Sequence, residues 1–192
     1  MTLRFVALLS VIALSACGGT SLVPFGQTER SGADMPEVTS DMTLPFGEIA
    51  LNCTVSKADL GQKVDENAGY AIYDTMTNSA SLRTHYVTGF KDKCVRQFSA
   101  ATALIGDIGT HEVVRYLPLN AKHPYSAADT AYEQIKASFC GAGQGQPCGR
   151  KLNQFARNTT FITAYESFED NAEWADMLLY NGDVAAIGPV AR

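Results

Sequence analysis

The sequence predicts an α+β fold: an antiparallel sheet of about six to eight strands, curled or sandwiched, with one helical insertion at about 126–157 against one side or end. Three observations carry this expectation. Short runs rich in β-branched and aromatic residues recur between turn residues after residue 44. One stretch, after Ser126, changes to helical period. Near the end, Asn181-Gly182 separates two apolar runs, and these are the residues a two-residue hairpin turn needs, because both central positions take positive φ.

The first strand is expected over 47–53, which alternates loosely. Over 68–75, Tyr70, Ile72 and Asp74 fall on one face and Ala71 and Tyr73 on the other. The segment 82–90, LRTHYVTGF, is a stronger strand by composition. The segment 94–105 fits either element: its small residues suit a helix, its neighbours and the turn Gly106-Asp107 suit a strand. HEVVRYLPL, 111–119, reads as a strand ended by Pro118. Ser126 then caps a helix with Asp129 in its first turn; Ala128, Tyr132, Ile135 and Phe139 recur at helical spacing, and Gly141 ends it. A short second helix covers 149–157. Strands return over 159–168, and 174–180 pairs with 184–187 across the Asn-Gly turn.

The chain has 192 residues, 46% hydrophobic and 18% charged, so it is long enough for one ordinary core. Formal charge is −5, or −6 without Arg4 (14 basic against 20 acidic), and the basic residues are not clustered. That balance opposes phosphate backbones and anionic lipid, so no nucleic-acid partner is expected.

The N-terminus has the three-part layout of an export signal over 1–16: Arg4, an apolar run from Phe5 to Leu14, then Ser15 and Ala16. The run is shorter than the roughly 20 residues a spanning helix needs. Leu14-Ser15-Ala16-Cys17 resembles the lipobox of bacterial lipoproteins. The resemblance implies that Cys17 is lipidated and becomes the first mature residue. Several acyl chains at about 0.8 kcal/mol per buried methylene would hold the protein on a membrane. Gly18, where an aspartate would favour inner-membrane retention, resembles the outer-membrane pattern. Residues 17–43 read as a lipidated N-terminus and flexible tether with a reach of about 25–30 Å, and 44–192 as a single periplasmic domain. Val23-Pro24-Phe25-Gly26 is echoed by Leu44-Pro45-Phe46-Gly47, a match short enough for coincidence.

Beyond Cys17 the cysteines are Cys53, Cys94, Cys140 and Cys148, an even number that suits two disulfides in an exported chain. Three pairings are possible. The flexible loop 141–147 favours Cys140–Cys148, and Cys53–Cys94 follows. No close C-x-x-C pair supports a metal site.

Catalytic signatures are sparse. His85, His111 and His123 lack an H-E-x-x-H frame, although Glu112 follows His111. The glycine-rich 140–145 lacks the Lys-Ser/Thr of a phosphate loop. No G-x-S-x-G or S-x-x-K occurs, and the sequon Asn158-Thr159-Thr160 carries no weight beside a bacterial lipobox. Glu166, Glu169 and Asp170 read as a solvated loop. Tyr70, Tyr73, Tyr86, Phe90, Phe98, Tyr116, Phe161, Tyr165, Trp174 and Tyr180 recur along the expected elements as core, with a subset suited to a binding face.

The resulting expectation is a non-enzymatic, lipid-anchored binding or interaction module of the bacterial envelope. It would face the periplasm, at the outer membrane rather than the inner, with an envelope protein as partner. No catalytic residue, metal or cofactor is expected. The alternatives are a lipoprotein that binds a small apolar ligand under the helical insertion, and an enzyme whose site lies around His85, His111 and Glu112.

Overall fold

The computed structural model describes residues 35–170 and 172–189. Cys17, the signal segment, the first Pro-Phe-Gly copy and the tether up to residue 34 lie outside the described residues. The fold is α+β, with two antiparallel sheets and a layer of helices. The first sheet runs in the order β1 (Ile49–Asn52), β5 (Val95–Ala100), β4 (Arg83–Thr88), β3 (Tyr70–Asp74), β2 (Gln62–Asn67). The second runs β6 (Thr102–Gly106), β7 (Thr159–Tyr165), β8 (Trp174–Tyr180), β9 (Asp183–Pro189).

Alternation sets the faces. In β3, Tyr70, Ile72 and Asp74 are buried while Ala71 and Tyr73 are half-buried, the division read from the sequence. The inner faces meet: Ile49, Ile72, Val87 and Phe98 of the first sheet pack with Ile162, Met177, Leu179 and Ile187 of the second. Each fully buried side chain of this size contributes roughly 1.5–3 kcal/mol. The stretch 94–105 resolves as two strands, β5 and β6. The chain crosses between sheets at Ala101, which is fully buried. There Arg83 donates to the Ala101 carbonyl (2.5 Å) while its fork holds Asp74 at 2.8 and 2.5 Å.

The outer face of the first sheet is covered by chain that precedes β2. Leu60, Tyr86 and Val95 cluster there, and Cys53–Cys94 joins the end of β1 to the start of β5. The fold begins before the expected boundary at Leu44. Val38 donates to Leu51 and Leu51 to Pro36, each at 2.8 Å, and Val38 and Leu44 bury with Ala50. In the second Pro-Phe-Gly copy, Phe46 packs against the main core.

Strand β2 was not legible. Its sequence QKVDEN is exposed along almost its whole length, and pairing with β3 recruits it. The charges of Lys63, Asp65 and Glu66 suit an edge that must not add further strands. The Asn-Gly hairpin is present: Asn181 and Gly182 take φ of 50° and 81°, and Tyr180 faces Asp183.

Between β6 and β7 the chain forms α1 (Ile108–Arg115), α2 (Ala127–Cys140) and α3 (Leu152–Phe155) on the far face of the second sheet. Here one expectation is corrected. The segment 111–119 is not a strand; its first half belongs to α1, so the helical insertion starts at 108 and not at about 126. Asp107 caps α1 by accepting from the Thr110 amide at 2.9 Å. The strand reading failed because α1 is inverted: Glu112 is 4% exposed and Val113 69%. Helix α2 is as read, with a Ser126–Asp129 capping box and Gly141 at its end. The expected helix over 149–157 is a 3-10 turn followed by α3.

A polar network binds the layer. Tyr132 donates to Glu112 (2.8 Å), and Tyr116 to Glu133 (2.6 Å). Fully buried Lys136 donates to Tyr116 (2.7 Å), Glu133 (2.6 Å) and the Gln146 carbonyl (2.7 Å). Amides of Gly145 and Cys148 donate to Glu133 and Glu112 at 3.1 and 3.0 Å. The loop closed by Cys140–Cys148 is therefore clasped from inside.

Two stability predictions follow from this layout. Replacing Cys140 and Cys148 with serine, a separation of 8, is expected to remove about 2.5 kcal/mol; replacing Cys53 and Cys94, a separation of 41, about 4 kcal/mol. Urea unfolding of oxidised protein measures both, and a larger loss from the shorter ring contradicts the ordering. Lys136→Ala leaves Glu133 buried without its cation, with an expected loss of about 3–5 kcal/mol. A loss below about 1 kcal/mol, the range of a solvated pair, would mean the network is not tight.

Candidate functional site: a cleft between helices and sheet

Helix α2 crosses β8 and β9 but leaves part of the outer face of the second sheet uncovered. Register sets what lies there: Tyr165 faces Trp174, and Thr163 faces Asp176, two positions further along and so on the same face. With Phe161 these residues form a floor. One wall is α1, through Thr110, His111, Val114 and Arg115; the other is Asp129 of α2 with His123 and Pro124. The volume of this open cleft is about 650 Å³, inside the range of small-molecule sites.

Asp129 organises the wall. Its Oδ2 accepts from the Ser126 amide (3.2 Å) and from Arg115 Nε (3.1 Å), and its Oδ1 lies 3.4 Å from His111 Nε2. Arg115 also donates to the carbonyls of Asn120 and His123 (2.8 Å to the latter) and lies 4.0 Å over the Tyr125 ring. Its guanidinium is thus committed to holding the 120–125 segment in place.

His111 stacks on Phe161 at 4.0 Å and meets Tyr132 edge-on at 4.9 Å. Burial lowers its pKa to about 4, against the pull of Asp129 and with help from Arg115. The ring is neutral at pH 7 and stands as a polar-edged aromatic. Asp176 accepts from the Thr163 hydroxyl at 2.7 Å. Burial raises its pKa, the Thr163 bond opposes this, and the charge of Asp129 adds to the rise.

No family model, curated protein or solved structure matches this chain.

The residues singled out in the sequence are scattered. His85 lies in β4, stacked on Phe98, with Nε2 3.5 Å from Asp74 and Nδ1 3.1 Å from the Arg83 carbonyl; burial holds its pKa below the ordinary value. It is part of the Asp74–Arg83 centre. Glu112 accepts from Tyr132 and Cys148, while His111 meets the Tyr132 ring edge-on and faces Phe161 and Asp129 in the cleft. The structure therefore does not assemble His85, His111 and Glu112 into one site. His123 does join His111 at the cleft, as do Phe161, Tyr165 and Trp174. Glu166, Glu169 and Asp170 are not among the cleft residues. Arg115, Thr163 and Asp176 were missed, and Asp129 was legible only as an acidic residue in the first turn of α2. Among the described residues no group of three His, Cys, Asp or Glu side chains is placed to hold a metal ion.

The two threonine hydroxyls of the cleft are engaged by carboxylates: Thr110 donates to Asp107 at 2.6 Å and Thr163 to Asp176. Neither contacts His111 as a nucleophile contacts its base. An aromatic floor with a few fixed polar groups is an arrangement for holding a molecule.

A pH dependence follows. Folded His111 binds its proton only near pH 4, while the unfolded residue does so near 6.5, so its share of stability is full above about 6.5 and is lost as pH falls toward 4. His85 acts in the same direction and Asp176 in the opposite one. His111→Phe is expected to lose less stability between pH 6.5 and 4.5 than the parent, by urea unfolding at both values. Equal losses would show that His111 does not titrate this way.

Proposed function

We propose that this chain is an exported bacterial lipoprotein, anchored through lipid on Cys17 and facing the periplasm, whose domain binds a small organic molecule in the cleft. The observation that carries the binding reading is the cleft itself: a space of about 650 Å³ with Phe161, Tyr165 and Trp174 on its floor and Asp129 and His111 on its walls. Support for the anchor comes from the Leu14-Ser15-Ala16-Cys17 motif. The Cys53–Cys94 and Cys140–Cys148 disulfides suit an oxidising compartment. Gly18 favours the outer membrane under the sorting pattern that the lipobox resemblance implies.

An envelope protein partner is the second reading. It rests on a neighbouring surface outside the cleft: Val113, Leu117 and Leu119, on α1 and the turn after it, are exposed apolar residues.

The test uses the full-length protein with a C-terminal tag, expressed in a Gram-negative host. Cys17→Ser is expected to move it from the membrane to the soluble fraction; retention on the membrane removes the anchor. Native mass spectrometry of the solubilised parent is expected to show a retained molecule of a few hundred daltons, and Thr163→Trp, which fills the floor, to lose it. No retained molecule, with a stoichiometric envelope protein co-purifying instead, moves the function to the α1 surface.

A further inference from the structure

The charges of the cleft do not balance. Asp129 is satisfied by Arg115 and the Ser126 amide, and Arg115 is consumed by Asp129 and two carbonyls. Asp107 is committed to the cap of α1. Asp176, in the middle of the floor, has one hydrogen bond, from a neutral hydroxyl, and no cation pairs with it among the described residues. The buried acids are better satisfied: Asp74 has Arg83, Glu133 has Lys136, and Glu112 accepts from both the Tyr132 hydroxyl and the Cys148 amide, whereas half-buried Asp176 has the Thr163 hydroxyl alone. Burial and the nearby Asp129 raise the pKa of Asp176, as befits a carboxyl that lacks its counter-ion.

Its neighbours are the other half of the case. On one face of a strand, Trp174 stands two residues from Asp176, or about 6.6 Å along the chain. Tyr165 is the cross-strand partner of Trp174. A positively charged nitrogen at the carboxylate would therefore lie within reach of an aromatic face, where cation–π attraction adds about 0.5–2 kcal/mol. An anionic ligand would meet Asp176 with no uncommitted Lys or Arg to offset it, since among the described residues Arg115 is the only one lining the cleft.

We propose that the ligand is an amine: a molecule with a protonated or quaternary nitrogen seated against Asp176 and an apolar body lying along Trp174, Tyr165 and Phe161. This rests on the small-molecule reading of the cleft and adds the chemical class of its occupant.

The chain contains a single tryptophan, Trp174, so its emission reports on this spot alone. We would titrate the protein at pH 7 with 2-phenylethylamine, 2-phenylethanol and phenylacetate, which share a ring and differ in the charge of the head. The amine is expected to change the emission and to bind at least about tenfold tighter than the alcohol, with phenylacetate weakest. Asp176→Asn keeps an oxygen for the Thr163 hydroxyl and removes the charge; it is expected to reduce the amine to the level of the alcohol. Equal affinity for amine and alcohol, tighter binding of phenylacetate, or an amine preference that survives Asp176→Asn would overturn the inference. Silence from all three probes, with a molecule still retained in the native mass spectrum, overturns the inference alone. Silence with nothing retained overturns the small-molecule reading as well.

Discussion

Helix α1 is held to α2 by a seam of polar contacts, and the cleft exists because that seam is satisfied. A helix of eight residues has little stability of its own. Its inward side carries Glu112 and Arg115, followed by Tyr116 at its C-cap, and each meets a residue of α2: Tyr132, Asp129 and Glu133. On α2 those partners, with Lys136, fall at the spacing of one helix face. Hydrogen bonds to charged groups contribute about 1.5–3 kcal/mol each, and a stranded buried charge loses far more. The seam therefore acts as a unit. The same carboxylates also take the Gly145 and Cys148 amides, so the disulfide loop, both helices and the width of the cleft are set together.

This seam also explains what could be read in advance. Local signals were legible: the Asn181-Gly182 turn, the Ser126–Asp129 cap, the β-branched strands, and the loop that favours Cys140–Cys148. Helix α1 was not, because Val113 and Val114 face out while Glu112 and Arg115 face in, the reverse of what hydrophobic period assumes. Strand β2 was hidden for a related reason: an edge strand of polar residues has no inner face to betray it. The cleft draws on strands, helices and a connecting loop, and the Thr163–Asp176 pair depends on a register that a loop of eight residues, 166–173, leaves open in sequence. His111 attracted notice as a histidine, but its true neighbours, Phe161, Tyr132 and Asp129, are far from it along the chain or in elements whose placement was unknown.

Charge pairing separates structure from function in this molecule. Arg83 with Asp74 secures the point where the chain changes sheets. Arg96 holds Asp92 at 2.8 Å and lies 4.1 Å over Phe90, at the edge of the main core. Lys136 with Glu133 secures the helical layer. In each case a buried cation and a carboxylate answer to one another, and their role is complete within the protein. Asp176 is answered only by a hydroxyl, and it is also the carboxylate on the floor of the cleft.

The Cys53–Cys94 bond has a mechanical consequence. A pull entering at the N-terminal side of the described chain first meets residues 36–38, held to β1 by two backbone hydrogen bonds and a small apolar cluster. Once those give way, tension runs along β1 toward Cys53, where the covalent link passes it to the start of β5. The pull is then shared with β5, an interior strand of the first sheet, and unzipping of β1 stops at the bond. The cleft lies beyond the crossover at Ala101, on the second sheet. Drag applied at the N-terminal end of the described chain would thus be absorbed by the first sheet, and the cleft would keep its shape under tension.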